Sequence, residues 1–174
     1  MALYLIELTP ANASKDEATA LIETVSNFLS EGAELIETQV SADHKLIFAI
    51  IESENTAFAP ALTAAIGERA SVVGPDEVRL VGAELDDIKK LKKDADYLVE
   101  WDIPAEITME QYLTRKKANA PKYAEVPEVS FLRTYVREDT AKCLCFYDAP
   151  DEDAVVRARE AVSTPIDRLF KLHA

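Results

Sequence analysis

Two cysteines, Cys143 and Cys145, stand one residue apart in the stretch KCLCFYDAPDEDAVVRA, and Tyr147 follows at the same interval. Side chains alternate across a strand, so these three share one face while Leu144 and Phe146 share the other. Such a face could form a thiol-lined pocket. Tyr147 would then be a polar handle for a small ligand, and Cys145 and Cys143 would be thiolate ligands for a soft metal ion. The competing reading makes both cysteines small hydrophobes in a buried strand. A single Cys-x-Cys lacks the second pair or nearby histidine of a zinc-type site. Neighbouring positions on one strand are also badly placed for an unstrained disulfide.

Glu100 lies inside the short apolar run YLVEW, as Glu7 does inside YLIEL. A carboxylate in such a place is costly unless it is paired. It could be a metal ligand beside Cys145 and Cys143, or a general base with a raised pKa. Otherwise it faces solvent or pairs with Arg133 or Arg168 on a neighbouring strand. Arg133 and Tyr135 share a face of the preceding strand with Phe131. With Tyr147 they are the expected contacts for an acidic or aromatic small molecule or cofactor, although aromatic cross-strand packing with a snorkelling arginine explains the same pair. Trp101 reads as a plug in a core or between halves. The two histidines are His44, in an expected turn, and His173, next to the last residue. Four glycines leave little room for a phosphate-binding loop, and no Ser-His-Asp constellation can be argued.

Periodicity and an internal repeat define the elements that must position these residues. YLIE at positions 4–7 recurs as YLVE at 97–100, ELIETQVSADHKLIFAIIES (34–53) resembles EVSFLRTYVREDTAKCLCFYDA (128–149), and VRLVGAEL (78–85) resembles DRLFKLHA (167–174). In the first half, Ala18, Leu21, Ile22, Val25, Phe28 and Leu29 form a helical stripe. Ser14 with Glu17 fits a capping box, and Gly32 a C-terminal stop. Hairpin turns are expected at 41–44 and 137–140, with second helices over 56–66 and 153–162. Thr108 with Gln111 predicts another capping box, Ile107 with Tyr112 a hydrophobic staple, and Asp151 an N-cap.

The order β-α-β-β-α-β, twice, predicts an α+β chain of two tandem ferredoxin-like sandwiches. They cover residues 1–84 and 97–174, with a short helical linker over 85–96. The linker reads as solvated, its lysines 89, 90, 92 and 93 forming a soluble face. Each sandwich would leave one sheet face bare, so the halves are expected to form an intramolecular pseudo-dimer, similar to dimeric α+β barrels.

Of the 174 residues, 48% are hydrophobic and 29% charged, a globular balance. A net charge of −13 repels phosphate backbones and argues against a nucleic-acid partner. No apolar run of about 18 residues is present, so no membrane span is expected. The opening MALYLIELTP reads as a strand rather than a signal peptide. Two cysteines do not make a disulfide framework, and a cytoplasmic location is the expectation.

A family resemblance rests on YLVEWDIP (97–104), ITMEQY (107–112), TYVREDTAKCLCFYDAPDEDAVVRA (134–158) and STPIDRLFKL (163–172). Its most specific part is the skeleton Tyr135-Val136, Asp139, Lys142, Cys145, Tyr147, Ala149-Pro150 and Ala154. In these stretches the second half resembles a small bacterial ferredoxin-like family long filed as a domain of unknown function, one studied branch of which is nickel-binding. The first half looks like a diverged copy that keeps Glu7, Val40, Asp43 and Lys45 but not the cysteines. The resemblance implies a ferredoxin-like fold, a dimer-like arrangement and a soft-metal site with a divalent ion such as nickel. Metal-binding relatives tend to carry histidine just after the first-strand glutamate, where this sequence has Trp101-Asp102.

The expected function is therefore small-ligand or divalent-metal binding, with a small molecule or metal ion as partner. One alternative is a cofactor-independent enzyme of isomerase or oxygenase type, with a pocket between sheet and helices and Glu100 or Tyr135 as the convergent group. Another is a structural module that homo-oligomerises through leftover sheet edges.

Overall fold

A computed structural model describes residues 1–29, 31–91 and 94–172. Its contacts divide the chain into two compact units, one of Met1–Val78 with 85–91 and one of Arg79–Glu84 with 94–172.

The first unit contains β1 (Ala2–Pro10), α1 (Lys15–Asn27), β2 (Glu34–Val40), β3 (Ile47–Ser53), α2 (Ala59–Ile66), most of β4 (Ala70–Val81) and α3 (Leu85–Lys89). Its strands lie in the order β2-β3-β1-β4, all antiparallel. Tyr4, Ile6, Leu8, Ile47 and Ile51 form one sheet face, packed against Leu21 and Val25 of α1 and Leu62 and Ile66 of α2. Ser14 caps α1 by accepting from the Glu17 amide at 3.1 Å. The expected box is only half made, because the Glu17 carboxylate pairs with Arg69 at 3.1 Å instead. The helix also stops earlier than Gly32 predicts. Phe28 is already the C-cap, its amide bonded to the Thr24 carbonyl, so its ring leaves the apolar stripe and is 53% exposed.

Helix α3 differs from its expectation as a solvated linker. Ile88 is buried, and Lys89 reaches Glu34 at 3.3 Å and Glu52 at 3.1 Å, which docks the helix on β2 and β3. Lys92, Lys93 and His173 lie outside the described residues.

The second unit contains β5 (Tyr97–Asp102), α4 (Met109–Asn119), β6 (Ser130–Arg137), β7 (Lys142–Asp148), α5 (Glu152–Ala161) and β8 (Arg168–Lys171). The strand order is β6-β7-β5-β8, again antiparallel, so each unit has the ferredoxin-like β-α-β-β-α-β order. A 3₁₀ segment, Ala120–Glu125, follows α4. The α4 capping box is complete. Thr108 Oγ1 accepts from the Gln111 amide at 3.2 Å, and Gln111 Oε1 accepts from the Thr108 amide at 2.9 Å. Asp151 caps α5 by accepting from the Ala154 amide at 2.8 Å.

The hairpin turns of the two units use the same device. Asp43 accepts from the Lys45 amide and Asp139 from the Ala141 amide, both at 3.0 Å. His44 and Thr140, between donor and acceptor, both take a φ of 60°. A short polar side chain that bonds the backbone two residues on makes this turn without glycine. No helix among the described residues is long and apolar enough to cross a membrane.

Candidate functional site

The site is built on the helix-covered face of the second sheet. Register places Cys145 opposite Val99 on β5 and Thr134 on β6, and Cys143 opposite Trp101 and Val136. Directly paired residues share a face, so Trp101, Cys143, Thr134, Cys145 and Tyr147 all look toward α4 and α5. These helices bring Tyr112 from α4 and Ala154, Val155, Ala158 and Arg159 from α5 onto that face.

Around the thiols the polar groups are bonded in a chain. Thr134 Oγ1 donates to Cys145 Sγ at 3.2 Å, and the two Sγ atoms are 4.0 Å apart. Arg159 is 2% exposed. Its Nη1 donates to Cys145 Sγ at 3.5 Å and to the Tyr147 hydroxyl at 3.1 Å, and its Nη2 donates to the Pro165 carbonyl at 2.7 Å. The hydroxyls of Tyr147 and Tyr123 are 2.6 Å apart.

This arrangement separates the two thiols electrostatically. The hydrogen bond from Cys143 holds Cys145 well below the usual thiol range despite burial, helped by the charges of Lys116 and Arg159 and by the Thr134 hydroxyl. The same bond, with burial, pushes Cys143 well above that range. Of the two thiols, Cys145 is therefore the one favoured to ionise and Cys143 the one favoured to keep its proton. Burial opposes the charge on Arg159, yet the charge of Cys145 and the hydrogen bond to Tyr147 outweigh it, and the guanidinium stays protonated. Burial first, and then the Cys145 charge, pushes Tyr147 well up and Tyr123 up to about 12. Tyr112 is raised too, by burial and then by the charge of Cys145.

An open pocket leads down to this chain. It holds about 450 Å³ of space, its mouth included. Its wall contains Trp101, Tyr112, Tyr123 and Phe131, the cations Arg115, Lys116 and Arg159, and both cysteines. Tyr123 stacks on Phe131, with ring centroids 5.4 Å apart and planes at 7°. Lys116 Nζ stands 4.3 Å above the Phe131 ring and the Arg115 guanidinium 5.4 Å from the Trp101 ring. Three buried polar atoms of the wall residues, Tyr112 Oη, Arg115 Nε and Arg159 Nε, have no hydrogen-bond partner among the described residues. The Tyr112 hydroxyl nonetheless stands close enough to Cys143 to favour that thiol's charged form.

The residues expected to act together divide between the two sheet faces. Cys143, Cys145 and Tyr147 share the helix-covered face. Glu100 pairs in register with Leu144, on the opposite face from the thiols, and therefore does not complete a metal site with them. It is bound by Lys142 Nζ at 3.0 Å and by Arg168 Nη2 at 2.7 Å. Burial favours its neutral form, but these cations outweigh that and lower its pKa. Arg133 and Tyr135 also lie on the opposite face, opposite Phe146 and Leu144. Arg133 stands 4.8 Å from the Phe146 ring, and Tyr135 meets that ring edge-on at 5.8 Å. Neither they nor Glu100 line the pocket, so none is its convergent group. Tyr147 sits behind the wall, bonded to two residues that form it. Glu7 is buried on β1 opposite Phe48, and His44 lies in its hairpin turn.

The cationic wall is the part of the site that sequence reading passes over. Arg159 carried a usable signal, since it follows Val155 by four positions and so falls on the buried stripe of α5. Trp101 and Tyr112 were legible as buried aromatics, but not as the wall of an opening.

Among the comparisons with known proteins, the family match falls within one unit and the structural matches span both. A family model described as nickel responsive protein SCO4226-like matches residues 97–172, which is the second unit's β5 to β8 and less than half of the chain. The match carries the nickel-responsive description, not the name of the domain-of-unknown-function family that the sequence resembles. No curated protein matches the chain. Among solved structures, a chlorite dismutase-like protein, TA0507, superposes with a TM-score of 0.57 at 16% identity, over 100% of this chain and 96% of that one. A monooxygenase-like protein, FN1347 from Fusobacterium nucleatum, gives 0.54 at 12% identity, over 98% and 90%. At these identities the likeness concerns the fold alone, and that fold is the α+β class of the dimeric α+β barrels.

Proposed function

We propose that this chain is a small-ligand-binding protein and that its ligand occupies the open pocket of the second unit. The carrying observation is the pocket wall, where buried polar groups without partners among the described residues converge among four aromatic rings. Concave, largely aromatic sites with a few polar groups are the usual form of a small-molecule site. Trp101 is the single tryptophan of the chain and stands in this wall, so its emission reports on occupancy. The test is a titration of a small-molecule panel read by Trp101 emission and calorimetry. Saturable binding that Tyr112→Ala weakens supports the reading. A pocket that holds only ordered water, with no saturable change from any probe, refutes it. Cytoplasmic residence and homo-oligomerisation belong to the same proposal, the latter read from solution size at high concentration.

A second reading is divalent-metal binding with nickel as the ion, and the family match over the second unit favours it. The available donors are Cys143 and Cys145. Nickel takes four or more N, O or S ligands in tetragonal or octahedral sites. Among the described residues, no group of three or more His, Cys, Asp or Glu side chains is placed to hold a metal. The residues present do not fit a resident nickel ion. Calorimetric titration with nickel, on the parent and on Cys145→Ser, decides it. Specific uptake lost in the variant would restore the reading, and uptake no greater than background would end it.

A further inference from the structure

We infer that the pocket selects a small planar anion, chemically an aromatic carboxylate. This rests on the proposal that the pocket binds a small ligand, and it names the class.

The argument begins with charge. The chain carries a formal net charge of −13, yet no Asp or Glu stands among the residues lining the pocket, whereas Arg115, Lys116 and Arg159 do. A surface this acidic repels anions in general, so a wall of three cations is a local inversion of sign. Cys145 as a thiolate offsets one of them, and the wall stays net positive.

Burial sharpens the point. A buried guanidinium is costly unless its N–H groups meet acceptors and its charge meets an opposite charge. Arg159 gives Nη1 to the Cys145 sulfur and Tyr147, and Nη2 to a carbonyl, but its Nε finds no acceptor among the described residues. The buried Tyr112 hydroxyl stands near the Cys143 thiol but has no hydrogen-bond partner among the described residues. Both residues line the pocket, and both can donate. A carboxylate offers two oxygens and about four acceptor positions, and it bonds guanidinium through paired N–H groups.

The rest of the wall fixes the shape of what accompanies that carboxylate. Trp101, Tyr112, Tyr123 and Phe131 present ring faces and edges. Lys116 and Arg115 already stand over two of those rings. A flat aromatic ring can stack within this set while its carboxylate points to the cations. A cationic amine would meet three like charges, and a neutral molecule would accept the hydrogen bonds but leave the positive charge of the wall unbalanced.

The test compares three probes of one shape: 2-naphthoate, 2-naphthamide and 2-naphthylmethylamine. Binding is measured by calorimetry to the full chain, and again to Lys116→Gln. Lys116 is partly exposed, so this variant keeps the fold, which a melting curve verifies. The expected result is naphthoate binding about tenfold more tightly than naphthamide, as a charge-assisted contact implies. The preference should shrink with added salt and fall severalfold in Lys116→Gln, because naphthoate loses more affinity there than naphthamide does. If naphthamide binds as tightly as naphthoate, or the amine binds best, the anion inference is overturned and the pocket reading stands. If no probe binds, both fall.

Discussion

Replacing Glu100 by glutamine removes a carboxylate that is 4% exposed and bound by two cations, Lys142 at 3.0 Å and Arg168 at 2.7 Å. Breaking a fully buried pair by removing one partner costs about 3–5 kcal/mol, because the other charge is stranded. Here the cost is smaller. Arg168 has 41% of its side-chain surface exposed and can turn to water, and the glutamine oxygen still accepts one hydrogen bond. A loss of about 2–3 kcal/mol is expected, read as a lower urea midpoint with an unchanged slope. The pH dependence provides a second check. Glu100 has a folded pKa below its ordinary 4.5, so its stabilisation is fully present above that value and is lost as pH falls through the lower folded value. Between neutral pH and acid, the stability of Glu100→Gln should therefore fall less steeply than that of the parent. A double-mutant cycle with Arg168→Met should give a coupling of about 1 kcal/mol or more. Because Glu100 faces away from the thiols, the same variant should leave pocket binding unchanged. A stability loss under about 0.5 kcal/mol, or an acid slope equal to the parent's, would refute the assignment of Glu100 as an ion-pair anchor.

The thiol pair should hold one thiolate at neutral pH, seen in ultraviolet absorbance and absent in Cys145→Ser; in Cys143→Ser its titration midpoint should rise, since the Cys143 hydrogen bond is the largest cause of the low value. Tyr147→Phe should cost about 1–3 kcal/mol in chemical denaturation, because it removes an acceptor from the buried Arg159 and a partner from Tyr123. Thr108→Ala should cost about 1 kcal/mol and lower helical ellipticity, since it dismantles the complete capping box of α4.

Element order was legible because it rests on local rules. Period-two strands, a period-3.6 helix and short polar turns each announce themselves within a dozen residues. The shared face of Cys143, Cys145 and Tyr147 was legible for the same reason. Grouping Glu100 with those cysteines required more, namely the register of β5 against β7, and register is set by pairings some 45 residues apart in sequence. A slip of one position exchanges the two faces, so Glu100 facing Leu144 rather than a cysteine could not be read from either strand alone. Arg133 and Tyr135 were misplaced for a local reason, since a register shift between Phe131 and Arg133 turns them to the face opposite Phe131. Phe28 shows the limit of a stripe, which continues only as far as the helix does.

Strand alternation on β7 also has an evolutionary consequence. Cys143, Cys145 and Tyr147 serve the pocket, while Lys142, Leu144 and Phe146 serve the ion pair and the packing behind it. One backbone carries two sets of positions whose side chains never share a partner. Substitutions in one set should combine additively with those in the other. A lineage could then exchange Cys143, Cys145 or Trp101 to suit a new ligand while the lock of Lys142, Glu100 and Arg168 stays intact. Such exchanges would be limited by packing in the core on their own side of the sheet, and not by the ion pair on the other.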